Sequence, residues 1–441
     1  MELVEEQDRP RRTARMRGMV QQVLGPRLGG LLRRIGLGTK DSAQATAPGG
    51  LADLAAALLS YSGKASGPSL ASGFFDLYEA SDAATRRAFL AELSQRFPYS
   101  EAAIAEAIAR WQASSDGSTA RALHEATRSG CQSLIRLLNL APDGTRRLIQ
   151  MRADLLSAGR LSPTEATLDS DFEYVFTSWF NAGFLELRRI DWETPAAILE
   201  RVIRYEAVHS IQGWDDLRRR VEPADRRCYA FFHPQMADDP LIFVEVALTA
   251  ELPDAIGDIL DDERATIDPR AASHAIFYSI SNCQQGLRGI PFGNFLIKQV
   301  VELLRSELPG LSCFATLSPV PGFARWLAEQ TGSSEAPPVE VLRAEAARYL
   351  VTAKSARGGV ANSVAKFHLG NGARLEAIHA GADNSANGLR QSHGVMVNYV
   401  YDLDAIESNL LALSELGKVA CSREVEALAS QSRGEETPRA A

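Results

Sequence analysis

Four short segments carry residues able to do acid–base and anion chemistry. The first, SISNCQQGLRGIPFGNFLIK at 279–298, reads as an apolar strand, a Gly-rich turn and the start of a helix. Such a turn leaves backbone N–H groups free at the helix start. With the positive end of the helix dipole they favour a phosphate or pyrophosphate. The second, FATLSPVPGFARW at 314–326, ends a strand in a stiff turn. Its prolines donate no hydrogen bond, so the ladder stops and the Ser318 hydroxyl sits on an inflexible loop. The third, FHLGNGA at 367–373, places His368 beside glycines that allow close approach. His368 is the general acid or base of choice, because an imidazole titrates near neutrality. The fourth, Asn398-Tyr399-Val400-Tyr401, reads as a strand with both tyrosines on one face. A buried tyrosine hydroxyl needs a partner, and a catalytic group can be that partner. Plainer readings stand beside each. A Gly-Pro turn also serves as punctuation, Ser318 also initiates a turn, and strand tyrosines also fill cores. His379 and His393 follow His368 at intervals of 11 and 14 residues, a spacing that matches no metal-binding pattern.

Two kinds of element must position these residues. Residues 51–188 read as a helical bundle, in which LADLAAALLSY, DAATRRAFLAELSQRF, EAAIAEAIARWQA, CQSLIRLLNL and GTRRLIQMRADLL repeat apolar residues three or four apart. No motif in them carries chemistry. Near residue 190 the texture changes. Thr194 reads as an N-cap with Pro195 at the first helical position. β-branched and aromatic runs then follow at 228–233, 241–248, 275–281, 311–317 and 395–403. The fold class is therefore α+β, with residues 189–430 forming the mixed domain. Residues 1–50 read as a basic arm and linker, partly disordered, and 431–441 as a frayed tail.

The 441 residues carry a net charge of −8, which excludes a nucleic-acid binder by electrostatic default. The five cysteines form no CxxC pair, so neither a zinc site nor a disulfide framework is indicated. A reduced cytoplasmic compartment fits that usage. No apolar run reaches the roughly 18 residues that span a bilayer. From Arg9 to Lys40 there are nine basic residues and no acidic ones, a solvated arm; Glu2, Glu5, Glu6 and Asp8 before it count against a transit peptide.

The motif Arg288-x-x-Pro291-x-Gly293 is similar in part to the pyrophosphate loop of GNAT-type acyltransferases, with Pro291 in place of the first glycine. Taken in order, SISNCQQGLRGI, GNFLIKQVV, LSPVPGF, KFHLGNGA and NYVY resemble the malonyl-CoA decarboxylase family. RRCYAFFHP and the EAVHSI–W–D–RRR pattern at 206–220 agree. The resemblance covers about 190–405 and extends through helical character over 50–190. It implies an N-terminal helical domain used for oligomerisation, as a homodimer or tetramer, and a C-terminal catalytic domain of GNAT-type fold. It also implies that Ser318, His368 and Tyr401 are the catalytic residues. Arg288, Gly289, Ile290, Phe292, Gly293 and Asn294 would hold the coenzyme A pyrophosphate. Some relatives carry glutamate where this chain has Pro291, so any role of that group is absent here or supplied elsewhere.

The chemistry implied is loss of CO2 from malonyl-CoA to an enolate, which is then protonated to acetyl-CoA. Coenzyme A is part of the substrate. No metal, biotin or nicotinamide is called for, because the thioester is the electron sink. The partners implied are malonyl-CoA and acetyl-CoA, with no nucleic acid and no membrane. A GNAT-type acyltransferase acting on an amine would share the loop but does not require a Ser/His pair. A catalytically silent acyl-CoA-binding regulator would lack the serine or the histidine.

Overall fold

The computed structural model describes residues 48–60, 67–291, 293–355 and 358–431. The basic arm and nearly all of the tail expected at the two ends lie outside the described residues. The chain divides into a helical unit, to which Gln285–Ile290 also belongs, and a sheet unit that holds the rest from Asn181.

The helical unit contains α1 (Pro48–Ser60), α2 (Gly67–Ala80), α3 (Ala83–Arg96), α4 (Glu101–Ala113), α5 (Gly117–Ala126), α6 (Gly130–Leu138), α7 (Gly144–Leu156) and α8 (Pro163–Trp179). Their starts follow local chemistry. Asp82, Ser100, Asp116 and Ser129 each accept a backbone N–H of the first turn. Ser162 and Glu165 form a reciprocal capping box with Pro163 at the helix start. The core gathers Leu54, Phe74, Phe75, Phe89, Leu134, Leu148, Phe172 and Phe176. Helices α2, α5 and α8 are not among the five helices read from Leu/Ala periodicity. In α2 the stretch GPSLASGFF interrupts the pattern with glycine and serine, yet it buries Leu70, Phe74, Phe75 and Tyr78.

The sheet unit is built on eight strands in the order β1-β2-β3-β4-β5-β8-β6, with β7 paired to β8. They are β1 (Glu186–Ile190), β2 (Arg226–Phe232), β3 (Ile242–Thr249), β4 (His274–Asn282), β5 (Cys313–Thr316), β6 (Ser318–Pro319), β7 (Arg374–His379) and β8 (Met396–Val400). β1 to β4 are antiparallel, β4 and β5 are parallel, and β8 runs antiparallel to β5, β6 and β7. The architecture is α+β, as the sequence led us to expect. Helices α9 (Ala196–Tyr205) and α10 (Trp214–Val221) pack Ile198, Leu199, Val202, Leu217 and Val221 on Cys228, Ala230, Phe232 and Phe243. One local expectation is corrected. Pro195, not Thr194, is the cap residue of α9, because the Thr194 hydroxyl is engaged with Asp191 in the preceding turn.

Two features of the sheet position Ser318. The parallel ladder joins only His274–Phe277 to Cys313–Thr316. Beyond it the chain turns through Ser318-Pro319 onto β8, since proline cannot donate to a ladder. The two central strands therefore diverge. The crossover between them contains α11 (Gly293–Glu307). After β5 come α12 (Phe323–Thr331), α13 (Val339–Val351) and α14 (Ser363–Leu369), which lead back to β7.

Candidate active site

Ser318 stands where the parallel ladder ends, opposite Val397 of β8. The turn behind it is tied down. The Pro321 carbonyl accepts from Asn362 Nδ2 at 2.9 Å, and Gly322 takes a positive φ of 80° that suits glycine. His368 lies in the last turn of α14, whose N-cap is the same Asn362, with its Oδ1 accepting the Ala365 N–H. One asparagine thus braces both the serine turn and the histidine helix. The Gly-Asn-Gly stretch after His368 has a steric reason as well. Gly372 has φ 83°, and a Cβ there would lie 2.8 Å from the Ile406 carbonyl oxygen.

These elements bring together three residues separated by 50 and 33 positions in the chain. His368 Nε2 is 3.3 Å from Ser318 Oγ, and His368 Nδ1 is 2.8 Å from Tyr401 Oη. All three are buried, at 5% exposure or less. Tyr399 lies on β8 and Tyr401 one residue past the strand's end, whereas one strand was expected to hold both, and both meet the imidazole. Tyr399 stacks on it at 4.7 Å between ring centroids. Thr316 completes the group and was not legible as a site residue. Its Oγ1 accepts from the Ser318 hydroxyl at 2.8 Å and from the Tyr399 N–H at 3.2 Å. Its only signal was the hydroxyl two residues before Ser318, on the same side of an extended chain.

Burial decides the protonation states. It pushes the His368 pKa down to about 3, so the ring is neutral near pH 7. It raises Tyr401 well above the ordinary phenol value, so the phenol keeps its proton. A protonated phenol whose hydroxyl faces Nδ1 donates to it. The neutral imidazole then carries its proton on Nε2 and points it at Ser318 Oγ. The result is a directional chain, Tyr401 to His368 to Ser318 to Thr316, with no net charge.

His379 and His393 do not join this group. His379 pairs with Asn398 and Asp254, and His393 ends the helix Ala386–Ser392 in a left-handed conformation.

The Gly-rich turn is placed as follows. After β4 a short 3₁₀ turn spans Gln285–Leu287. Arg288 and Gly289 are exposed, and Ile290 is buried. Gly289 has φ 88°, and exposed Pro291 precedes α11, which opens with Gly293 and Asn294. Phe292 lies outside the described residues.

Comparison with known proteins agrees with this picture in extent. The malonyl-CoA decarboxylase N-terminal domain family matches residues 97–180, and the C-terminal domain family matches 183–341 and 336–438. The mitochondrial malonyl-CoA decarboxylase of Rattus norvegicus is 36% identical over 340 residues, 65% of this chain and 68% of that protein. The crystal structure of malonyl-CoA decarboxylase from Agrobacterium vitis superposes with a TM-score of 0.80 at 47% identity, covering 86% of this chain and all of the other. That from Rhodopseudomonas palustris gives 0.80 at 46%, covering 86% and 99%. On the residues matched and the identity over both domains, the chain belongs to the malonyl-CoA decarboxylase family of carboxy-lyases.

Proposed function

We propose that this chain converts malonyl-CoA to acetyl-CoA and CO2 through an enolate, with Ser318 and His368 as the working pair. The observation that carries this reading is the buried, uncharged chain from Tyr401 through His368 to Ser318. Cleavage of the bond to the carboxylate carbon releases CO2 and moves the electron pair into the thioester. An enolate carbon is basic enough to take a proton from a neutral hydroxyl. Ser318 supplies that proton, and Nε2–H of His368 returns one to Oγ. As Nε2 gives up its proton the Tyr401 hydroxyl passes its own to Nδ1, so the ring stays neutral, and the phenolate left behind is reprotonated from water. One proton from water per turnover restores the chain. An uncharged relay suits a site where burial disfavours imidazolium. The divergence of β4 and β5 supports entry of the substrate's thioester arm beside Ser318. The exposed Arg288 and the backbone through Asn294 would hold the coenzyme A diphosphate. No resident cofactor enters this scheme, and the whole reading concerns a cytoplasmic enzyme.

We infer self-association through the helical unit from α4, which buries only Ala107 and exposes Ile108 and Trp111. Light scattering on the intact chain and on Trp111→Glu reads this directly. A monomeric wild type would end the idea.

The test of function is acetyl-CoA and CO2 formation from malonyl-CoA, with a chelator present and no amine acceptor. Wild-type turnover that collapses in His368→Ala supports the reading. No turnover, with acyl transfer appearing once an amine is added, would replace it with the acyltransferase reading.

A further inference from the structure

Arg152 of α7 is the least expected residue in the helical unit. It is 1% exposed, yet it carries a charge. Its Nε donates to Asp169 at 2.8 Å and its Nη2 to Glu173 at 3.0 Å. Its Nη1 bridges two backbone carbonyls, Gly286 at 2.9 Å and Arg288 at 3.0 Å. The loop lies so close that a Cβ on Gly286 would fall 1.9 Å from the Ile149 carbonyl oxygen. Only glycine fits there. With two carboxylates beside it and almost no exposure, this guanidinium is not itself an anion ligand. Its work is done on the loop.

A trans peptide points its C=O and the next N–H in opposite directions. Clamping the Arg288 carbonyl therefore turns the Gly289 N–H away from Arg152. At the same residue the Arg288 side chain is exposed. Gly289, at φ 88°, completes the turn beside the exposed Arg288, and a Cβ there would come within 3.1 Å of Glu173 Oε1, so only the bare backbone fits between that carboxylate and solvent. We propose that Arg152, with Asp169 and Glu173, is a positioning residue that holds the 286–290 loop in its anion-binding form. The ligand group is the diphosphate of the substrate's nucleotide end. This rests on the reading, given above, that the loop beginning at Arg288 takes that diphosphate.

The experiment uses the full chain and two probes, coenzyme A and pantetheine, as inhibitors of malonyl-CoA turnover. Pantetheine lacks the diphosphate. In Arg152→Lys, which cannot bridge both carbonyls while keeping both carboxylates, KM for malonyl-CoA and Ki for coenzyme A rise about tenfold, the worth of one hydrogen bond to a charged group. Ki for pantetheine and kcat stay within about twofold. Gly286→Ala, which pushes the loop from the other side, gives the same split. Glu173→Gln, at a half-exposed position that folding tolerates, gives a smaller one if either of the first two does not fold. Equal rises for both probes, or no rise in a folded variant, overturn the proposal. Arg288→Ala separates the two ideas. If it weakens coenzyme A while Arg152→Lys and Gly286→Ala do not, the positioning role fails and the loop reading survives. If none of the three moves coenzyme A, the loop reading fails and the inference falls with it.

Discussion

Two of the sheet unit's buried polar clusters are organised in opposite ways. In one, Glu206 ends α9 and accepts the N–H groups of Val208 and His209 and the hydroxyls of Ser279 and Ser281, all at 2.8–3.0 Å. Both oxygens are saturated. In the other, Ser318, His368 and Tyr401 form a single file in which each member has one or two partners. A saturated carboxylate that ties a loop to a strand has no lone pair left for a ligand, since any change of partner costs a buried hydrogen bond. A single file has capacity left for a reacting atom. Both clusters lie in segments that resemble the family, so motif likeness alone does not separate them. Bond saturation does.

The sharpest way to break this contrast is to exchange the readouts. Ser318→Ala should lower kcat by about 10²–10⁴ while leaving the melting temperature nearly unchanged, and His368→Ala should lower kcat as far but with a lower melting temperature, since it opens a cavity and strands the Tyr401 hydroxyl. Glu206→Ala should do the reverse. It strands two N–H groups and two hydroxyls and should cost roughly 3 kcal/mol or more in denaturant unfolding, with kcat retained per folded molecule. A Glu206→Ala enzyme that melts normally but turns over slowly would erase the distinction.

A smaller effect tests direction within the file. Tyr401→Phe removes the donor to Nδ1 and frees the other tautomer, so kcat should fall about tenfold with little change in KM. An unchanged kcat would place Tyr401 outside the chemistry.

Smaller again is Thr316. Thr316→Val keeps the shape and loses the acceptor for Ser318 and the Tyr399 N–H, so kcat should fall several-fold, whereas Thr316→Ser should restore it. Equal losses in both would mean that packing, not the hydroxyl, matters.

The gentlest probe is pH. His368 has a folded pKa near 3, below its ordinary value of 6.5, so between these limits the unfolded chain binds the extra proton. Stability should therefore fall on acidification through that window, by up to about 1.4 kcal/mol per pH unit from this group. His368→Gln should show a shallower slope over the same range. Glu245, fully buried beside Arg220 and raised to about 8 by burial, acts with the opposite sign between 4.5 and 8. The comparison must therefore be made variant against wild type. A kcat profile with an ionisation near 6.5 would contradict the neutral imidazole.

Much of this was legible in sequence, for identifiable reasons. α3, α4 and α7 begin within a residue of where periodicity and caps place them. β2 to β5 and β8 coincide with the β-branched and aromatic runs. β1 and β7 were missed because their outward residues are charged. β1 reads Glu-Leu-Arg-Arg-Ile, with Arg188 lying over the Phe232 ring. In β7 a register shift between Leu375 and Ala377 breaks the alternation. Ser318, His368 and the Tyr399/Tyr401 pair stood out as candidates because each sits in a turn or strand whose glycine, proline or tyrosine pattern has a mechanical meaning, whereas the choice of Ser318, His368 and Tyr401 as a catalytic set came from the family resemblance. Arg152 did not. Within its helix it is one arginine among several, and its partners Gly286 and Arg288 come more than 130 residues later.

What the sequence alone determined is therefore local. It set where helices and strands start, which turns are stiff, and which hydroxyls and imidazole stand on them, because those depend on neighbours a few residues away. Tertiary structure alone decided that His368 is neutral, that its proton faces Ser318, that Thr316 and Tyr399 belong with them, and that a buried arginine grips the Gly-rich turn. Those outcomes depend on desolvation and on atoms brought within 3.3 Å across long stretches of chain, which no local pattern records.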